Sequence, residues 1–185
     1  AYLMLSQGDK AALALFAQSL TSFVPAGGTR RHLHRIVTEL EQVRPAQTTG
    51  IADALGQSNA LFKKRGRIVI LSDFLGDTAQ LFDALSQFVH RKFEILLLQV
   101  LDPDELHLPA VSAAKFVDLE TAEEVQVDAE EIRAEYRARM EKLVGEIGRE
   151  ADLRQIQHRV IDTSRPYLEA IEAYLGFRSK NEHGR

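Results

Sequence analysis

A run of aliphatic residues that ends on a carboxylate most constrains the fold of this chain. Residues 68–71 are Ile-Val-Ile-Leu and lead directly into Ser72 and Asp73. Such a run, rich in β-branched side chains, is typical of a strand that is covered on both faces, as in a parallel sheet. Open α/β sheets bind ligands at the carboxyl ends of their strands, so we expect Asp73 at a ligand-binding edge. The alternative is an aspartate that only accepts hydrogen bonds from nearby backbone N–H groups.

The composition excludes several classes of protein. The chain has 185 residues, the size of one domain, and a net charge of −4 that gives no support to nucleic-acid binding. It has no cysteine, which excludes disulfides and thiolate zinc sites and fits a reducing compartment, so we expect a cytoplasmic location. The longest apolar runs, such as 95–98, are far shorter than the roughly 20 residues of a membrane-spanning helix.

Segments with strand and helix patterns alternate along the chain. This order predicts an α/β fold with a mainly parallel sheet flanked by helices. The predicted strands are Ala11–Ala17, Leu20–Val24, Arg67–Leu71, Lys92–Leu101, Lys115–Leu119, Val125–Val127 and Ile156–Ile161. The predicted helices lie at the amino terminus, over 29–43, between Thr48-Thr49-Gly50 and Gly66, over 78–90, from Asp128 through at least Ile147, and from Thr163 or Ser164 to about Arg178.

Local signals predict where these elements begin and end. A short link makes the first two strands an antiparallel hairpin, and Pro25 should end its second strand. Thr29 and Thr78 are predicted helix caps, and Thr163 or Ser164 should cap the last helix. The helix over 29–43 should carry Leu33, Ile36, Val37 and Leu40 on one face.

The longest predicted helix begins at Asp128. Asp128 and Glu131 have the spacing of a capping box. The apolar side chains that follow recur every three or four residues and should all face inward: Ile132, Tyr136, Met140, Leu143 and Ile147.

Three loops of this predicted fold carry oxygen ligands and should open at one edge of the sheet. They contain Thr48 and Thr49, then Ser72 and Asp73, and finally Asp102, Asp104 and Glu105. Hydroxyl and carboxylate oxygens suit Mg²⁺ or Ca²⁺. One hydroxyl and one carboxylate, however, are too few ligands to bind a metal ion tightly. For residues 102–105 we favour a solvated turn, because an Asp-Pro pair favours turns.

Several short motifs, taken in order, resemble a known family. They are Gly8-Asp9-Lys10, Thr49 with Ala52-x-Ala54-Leu55, residues 68–74, Asp102-Pro103-x-Glu105-Leu106, residues 117–121, and Asp162-Thr163-Ser164 with a helix closing on Phe177-Arg178. Over nearly its whole length the chain resembles the bacterial domain-of-unknown-function family numbered fifty-eight. The resemblance implies a von Willebrand factor A-like domain, with a Rossmann-like sheet, over residues 1–180, followed by a frayed tail over 181–185.

The resemblance also implies a metal-ion-dependent adhesion site that uses Mg²⁺. Such a site combines an Asp-x-Ser-x-Ser loop after the first strand with a Thr and an Asp, to which Thr49 and Asp73 correspond. Thr48, Ser72, Asp102, Asp104 and Glu105 would form the edge of this site. The first, central strand and its loop would lie upstream of Ala1, so we expect an incomplete site, an open slot beside the Asp73 strand and weak or no Mg²⁺ binding by this chain.

Members of this family often accompany MoxR-type AAA+ ATPases. The resemblance therefore implies a protein-interaction module, an adaptor that engages such an ATPase through a divalent cation. A metal-dependent phosphoesterase built on Asp73, Asp102 and Asp104 is the alternative, and it would require these carboxylates to converge. A third hypothesis is a scaffold whose metal site is degenerate.

Overall fold

The structure, a computed structural model, describes residues 1–43, 50–62, 64–108, 113–117 and 124–182; the side chains of 113–131 and 180–182 lie outside this description. The described residues form two compact units, one up to Phe62 and the other from Lys64 onward. No helix in these ranges is both long and apolar enough to cross a membrane.

The first unit is a β-hairpin with three helices. Its elements are α1 (Tyr2–Ser6), β1 (Ala11–Phe16), β2 (Leu20–Gly27), α2 (Arg30–Gln42) and α3 (Ile51–Asn59). The antiparallel pairing of β1 with β2 confirms the predicted hairpin. A small core of Ala11, Val24 and Ile36 joins the hairpin to α2.

Two details of the first unit differ from the sequence prediction. Pro25 does not end β2, because the register shifts between the pairs Ala11–Gly27 and Leu13–Val24. The resulting bulge accommodates Pro25, which has no backbone N–H to donate to the neighbouring strand. Thr29 caps α2 as predicted, accepting the His32 N–H at 3.1 Å. Only Ile36 of the predicted apolar face of α2 is buried, whereas Val37 and Leu40 are exposed.

The second unit contains a three-stranded parallel sheet in the order β3-β4-β7. The sheet and its flanking helices confirm the predicted α/β class. The elements of this unit are β3 (Arg67–Ser72), α4 (Thr78–His90), β4 (Glu94–Leu101), α5 (Pro103–His107), β5 (Ala113–Val117), β6 (Glu124–Asp128), α6 (Ala129–Leu153), β7 (Gln157–Asp162) and α7 (Leu168–Glu182). β5 and β6 form a separate antiparallel pair.

The middle strand, β4, is the core of the second unit. Leu96 and Leu98 pack against Phe177 of α7, on one face of the sheet. Ile95 and Leu97 are also buried and, because side chains alternate along a strand, they point to the opposite face. Both faces of β4 are therefore covered.

β3 is less covered than its aliphatic sequence predicts. Among the described strands it pairs only with β4, so it lies at an edge of the sheet. Ile70 is buried, but the side chain of Leu71 is 59% exposed. The prediction that both faces of this strand are buried is wrong for Leu71, because side chains project from the faces of a sheet and the described residues leave this end of the face open to solvent.

α4 and α6 supply the other large side chains of the core. The side chain that caps α4 is Asp77, not the predicted Thr78, and it accepts the Gln80 N–H at 3.1 Å. On α6, Met140 and Ile147 are buried as predicted, while the remaining stripe residues, Ile132, Tyr136 and Leu143, are only partly buried. The hydroxyl of Tyr136 donates to the carbonyl of Glu105 at 2.7 Å, which ties α6 to α5.

The last helix begins later than the sequence predicts. α7 starts at Leu168, so Pro166 precedes it, and the helix continues past Arg178 to Glu182. Thr163 and Ser164 do not cap it, because their hydroxyls donate instead to Asp102 and Asp162.

Candidate functional site

The carboxyl ends of the three parallel strands bring acidic residues to one edge of the sheet. Asp73 follows β3, Asp102 follows β4, and Asp162 is the last residue of β7. Ser72 pairs with Gln99 and Leu101 pairs with Asp162, so the three strands end close to one level. This is the edge at which open α/β sheets bind their ligands.

Asp73 presents a carboxylate to solvent. Its Oδ1 accepts the Leu75 N–H at 3.2 Å and faces the Ser72 hydroxyl at 3.4 Å. Among the described residues no group donates to its second oxygen, Oδ2. The flanking leucines are also exposed, Leu71 by 59% and Leu75 by 46%. The surface around Asp73 therefore combines one incompletely satisfied charge with two apolar side chains; we call these three residues the Asp73 patch.

The loop that carries Asp73 is held in a defined conformation. Phe74 follows with φ of +54°, a left-handed conformation that is uncommon for a bulky aromatic residue, and its side chain is buried. Its N–H donates to the Ser72 hydroxyl oxygen at 3.2 Å. The carbonyl of Asp73 accepts from the Gln99 amide at 2.8 Å. Strained backbone of this kind persists only where its surroundings determine it, and here burial and hydrogen bonds do so.

Asp102 is engaged by its own chain. It caps α5 in a capping box, in which its Oδ1 accepts the Asp104 N–H at 3.0 Å and Glu105 accepts the Asp102 N–H at 2.8 Å. Its Oδ2 accepts from the Thr163 hydroxyl at 2.9 Å. The predicted turn over 102–105 is instead the start of a short helix, although Asp102 and Asp104 are exposed to solvent as predicted.

Asp162 is likewise held by its neighbours. Its Oδ1 accepts from the backbone N–H and the hydroxyl of Ser164, at 2.9 and 2.6 Å. These hydrogen bonds from Ser164 are the main cause of the lowered pKa of Asp162, to which the charges of Arg165 and His107 also contribute. Asp102 thus joins the end of β4 to the end of β7, whereas Asp162 stabilises the turn that follows β7.

The residues proposed from the sequence fall into three groups. Thr48 and Thr49 lie outside the described residues. Ser72 and Asp73 lie together in the loop after β3. Asp102, Asp104 and Glu105 form the amino-terminal turn of α5. Within the described part of the chain, no three His, Cys, Asp or Glu side chains are grouped closely enough to hold a metal ion.

Sequence reasoning missed two polar residues behind the Asp73 loop, the buried Gln99 and the partly buried His158. Gln99 is fully buried in β4, and its Oε1 lies 3.0 Å from Nε2 of His158 on β7. The signal for Gln99 was present, since it interrupts an aliphatic strand. Nothing local marked His158, because its partner lies 59 residues away in the sequence.

The partial burial of His158 predicts a stability that depends on pH. Burial, helped by the charge of Arg159 and opposed by that of Asp152, lowers the pKa of His158 below its usual 6.5. The unfolded chain therefore takes up a proton at a higher pH than the folded protein does, and stability should fall as the pH drops below about 6.5.

Urea denaturation between about pH 7.5 and 5.5 tests this dependence. His158→Gln should flatten the fall in stability over this window, whereas His90→Gln, at an exposed position on α4, should retain it. A wild-type midpoint that stays constant across the window would contradict the prediction.

Comparisons with known proteins identify relatives of this chain. The model of the family described as "Protein of unknown function DUF58" matches residues 1–144. No curated protein matches the chain.

Two solved structures are similar in fold. The structure of a conserved hypothetical protein, BatB, from Bacteroides thetaiotaomicron has a TM-score of 0.54 and 15% identity, covering 96% of this chain and 82% of that one. An aerotolerance-related membrane protein from Bacteroides fragilis, with multiple mutations to serines, has a TM-score of 0.49 and 18% identity, covering 91% of this chain and 81% of that one.

Proposed function

We propose that this chain, which belongs to the DUF58 family, is a protein-interaction module with a von Willebrand factor A-like fold. The three-stranded parallel sheet with helices around it supports the fold assignment. The chain also shares its fold with BatB over 96% of its length. The proposed binding surface is the Asp73 patch, at the carboxyl edge of the sheet.

The observation that carries the proposal is the exposed, fixed carboxylate of Asp73. Its loop is already ordered by the buried Phe74 and by the hydrogen bond from Gln99. A partner that binds there pays little to order the loop, and such preorganisation favours affinity. Leu71 and Leu75 beside it offer apolar area around a charged group, which suits a specific protein interface.

The proposed partner is a MoxR-type AAA+ ATPase, engaged through Mg²⁺. Asp73 is a hard oxygen ligand with Oδ2 available. Because the described residues contain no complete metal-binding group, the remaining ligands would come from water, the partner or the rest of the protein. A cation bridge also suits a chain of net charge −4, which repels a partner's acidic groups.

The phosphoesterase hypothesis has no supporting geometry among the described residues. A two-metal site needs several carboxylates converging on ions about 3.5–4 Å apart. Both carboxylate oxygens of Asp102 already accept hydrogen bonds from α5 and Thr163, and Asp104 lies in the first turn of α5. A scaffold without metal remains the main alternative, and it differs from the proposal in one observable, the need for a cation.

Pull-down of a MoxR-type ATPase by the immobilised chain separates these possibilities. The wild-type chain should retain the ATPase in Mg²⁺ and lose it in chelator, while Asp73→Asn should lose it in both. Asp83→Asn, an exposed carboxylate on α4 outside the patch, is the matched control and should behave as wild type. If all three proteins retain the ATPase equally with chelator present, the metal-bridge hypothesis is wrong and the scaffold hypothesis is favoured.

A further inference from the structure

Gln99 is the one residue with a fully buried polar side chain in the described part of the sheet, and its contacts lead to the Asp73 loop. Its side chain is completely inaccessible to solvent. A buried amide needs hydrogen-bond partners, because leaving its N–H or C=O groups unpaired is costly. Gln99 has one on either side, the carbonyl of Asp73 at 2.8 Å and the ring of His158 at 3.0 Å.

The chemistry of these contacts fixes the direction of each hydrogen bond. The Asp73 carbonyl can only accept, so the NH₂ group of Gln99 must face it. The amide oxygen of Gln99 then faces His158, whose Nε2 must carry a hydrogen and donate. The result is a chain of hydrogen bonds that runs from His158 on β7 through Gln99 on β4 to the backbone after β3.

His158 lies beside α6. Its ring is partly buried, and its Nδ1 lies 3.6 Å from the position that a β-carbon would take on Gly148 of that helix. The hydrogen bond between the ring and Gln99 orients the two side chains relative to each other.

The carbonyl that Gln99 holds belongs to the residue just before the left-handed Phe74. The Asp73 carbonyl and the Phe74 N–H are part of the same peptide group. Fixing this group fixes the direction in which the chain leaves β3. It also fixes the position from which the Asp73 carboxylate points to solvent.

We propose that Gln99, oriented by His158, is the positioning residue that holds the Asp73 loop in its binding conformation. Gln99 does not contact the partner; it acts through the peptide group between Asp73 and Phe74. The consequence for binding rests on the proposed function, whereas the consequence for the loop does not.

The test compares three variants of the sheet. Gln99→Met keeps the length of the side chain but removes both hydrogen bonds. Gln99→Leu also removes both hydrogen bonds but with a branched side chain, so an effect that the two substitutions share comes from the lost hydrogen bonds and not from side-chain shape. Leu96→Ala, also on β4 and fully buried, destabilises the core without touching the loop.

The primary measurement is native-state hydrogen exchange of the Phe74 and Leu75 amides. Both Gln99 variants should speed their exchange by about three- to tenfold relative to amides of β4, the amount expected for one lost buried hydrogen bond. Leu96→Ala should speed exchange in the loop no more than in the strand. Unchanged loop exchange in folded Gln99→Met, or the same pattern in Leu96→Ala, would overturn the proposal.

A second pair of variants, at a partly buried position, covers the case in which Gln99→Met does not fold. His158→Leu removes the donor to Gln99 and should loosen the loop, while His158→Gln retains an N–H donor and should restore its protection. Loosening by both variants to the same extent would contradict the hydrogen-bond chain.

Measuring ATPase retention on the same variants separates the two proposals. A loosened loop with weaker retention supports both. A loosened loop with wild-type retention keeps the positioning role of Gln99 and counts against the Asp73 patch as the binding surface. An unchanged loop counts against the positioning role, whatever the retention.

Discussion

Replacing Phe88 with alanine is expected to lower the free energy of unfolding by about 3–5 kcal/mol, the largest effect of any single substitution considered for this chain. Phe88 lies on α4 and its side chain is completely buried. Its ring meets that of Phe93 edge to face, with the centroids 5.7 Å apart. Alanine would remove this contact and leave a cavity that the packed neighbours fill only in part.

Urea denaturation of the wild-type and Phe88→Ala proteins measures this effect. Asp83→Ala, at an exposed position of the same helix, controls for changes in helix propensity and should change stability by no more than about 0.5 kcal/mol. A loss below about 1 kcal/mol for Phe88→Ala would show that α4 does not contribute this side chain to a packed core.

The second large effect is expected on α6. Ile147 is fully buried, whereas Leu153, six residues later on the same helix, is 76% exposed. Ile147→Ala should therefore cost about 2–5 kcal/mol, and Leu153→Ala about 0.5 kcal/mol or less. Leu143→Ala, at a partly buried position of the predicted stripe, should fall between the two.

Thermal or urea unfolding of these three variants tests the stripe directly. The expected result is that Ile147→Ala lowers the stability most, Leu143→Ala less, and Leu153→Ala least. Equal effects at Ile147 and Leu153 would show that α6 packs through a different face.

The sequence predicted those features that depend on local pattern. The aliphatic run before Ser72 predicted β3, and the three-and-four spacing predicted α6 and the burial of Met140 and Ile147, because both patterns are local to the element. The first cap of the chain, Thr29, was predicted for the same reason. At α4 two adjacent residues, Asp77 and Thr78, can both cap, and the structure places the extended backbone of an N-cap at Asp77.

Features that depend on distant residues were not predicted. The exposure of Leu71 depends on what packs over its face of the sheet, and the aliphatic sequence of the strand does not specify this. The partner of Gln99 in the Asp73 loop lies 26 residues away.

The candidate site shows the same division between local and distant information. The sequence located Asp73 at the carboxyl edge of the sheet because the strand ends there. The capping box of Asp102 and Glu105 has a local signature in their spacing of three residues, but the Asp-Pro pair is also a turn signal, and the turn was predicted. The hydrogen bond from Thr163 to Asp102 joins residues 61 apart and depends on β7 lying beside β4.

The affinity of a MoxR-type AAA+ ATPase for the immobilised chain, measured by biolayer interferometry in Mg²⁺, tests the role of Asp73 most directly. Asp73→Asn should raise the Kd by at least about tenfold, as expected when one partner of a charged contact is removed, and Asp83→Asn should leave it unchanged. Chelator should raise the wild-type Kd to that of Asp73→Asn. A Kd for folded Asp73→Asn equal to that of the wild type in Mg²⁺ would contradict the proposal that this carboxylate engages the partner.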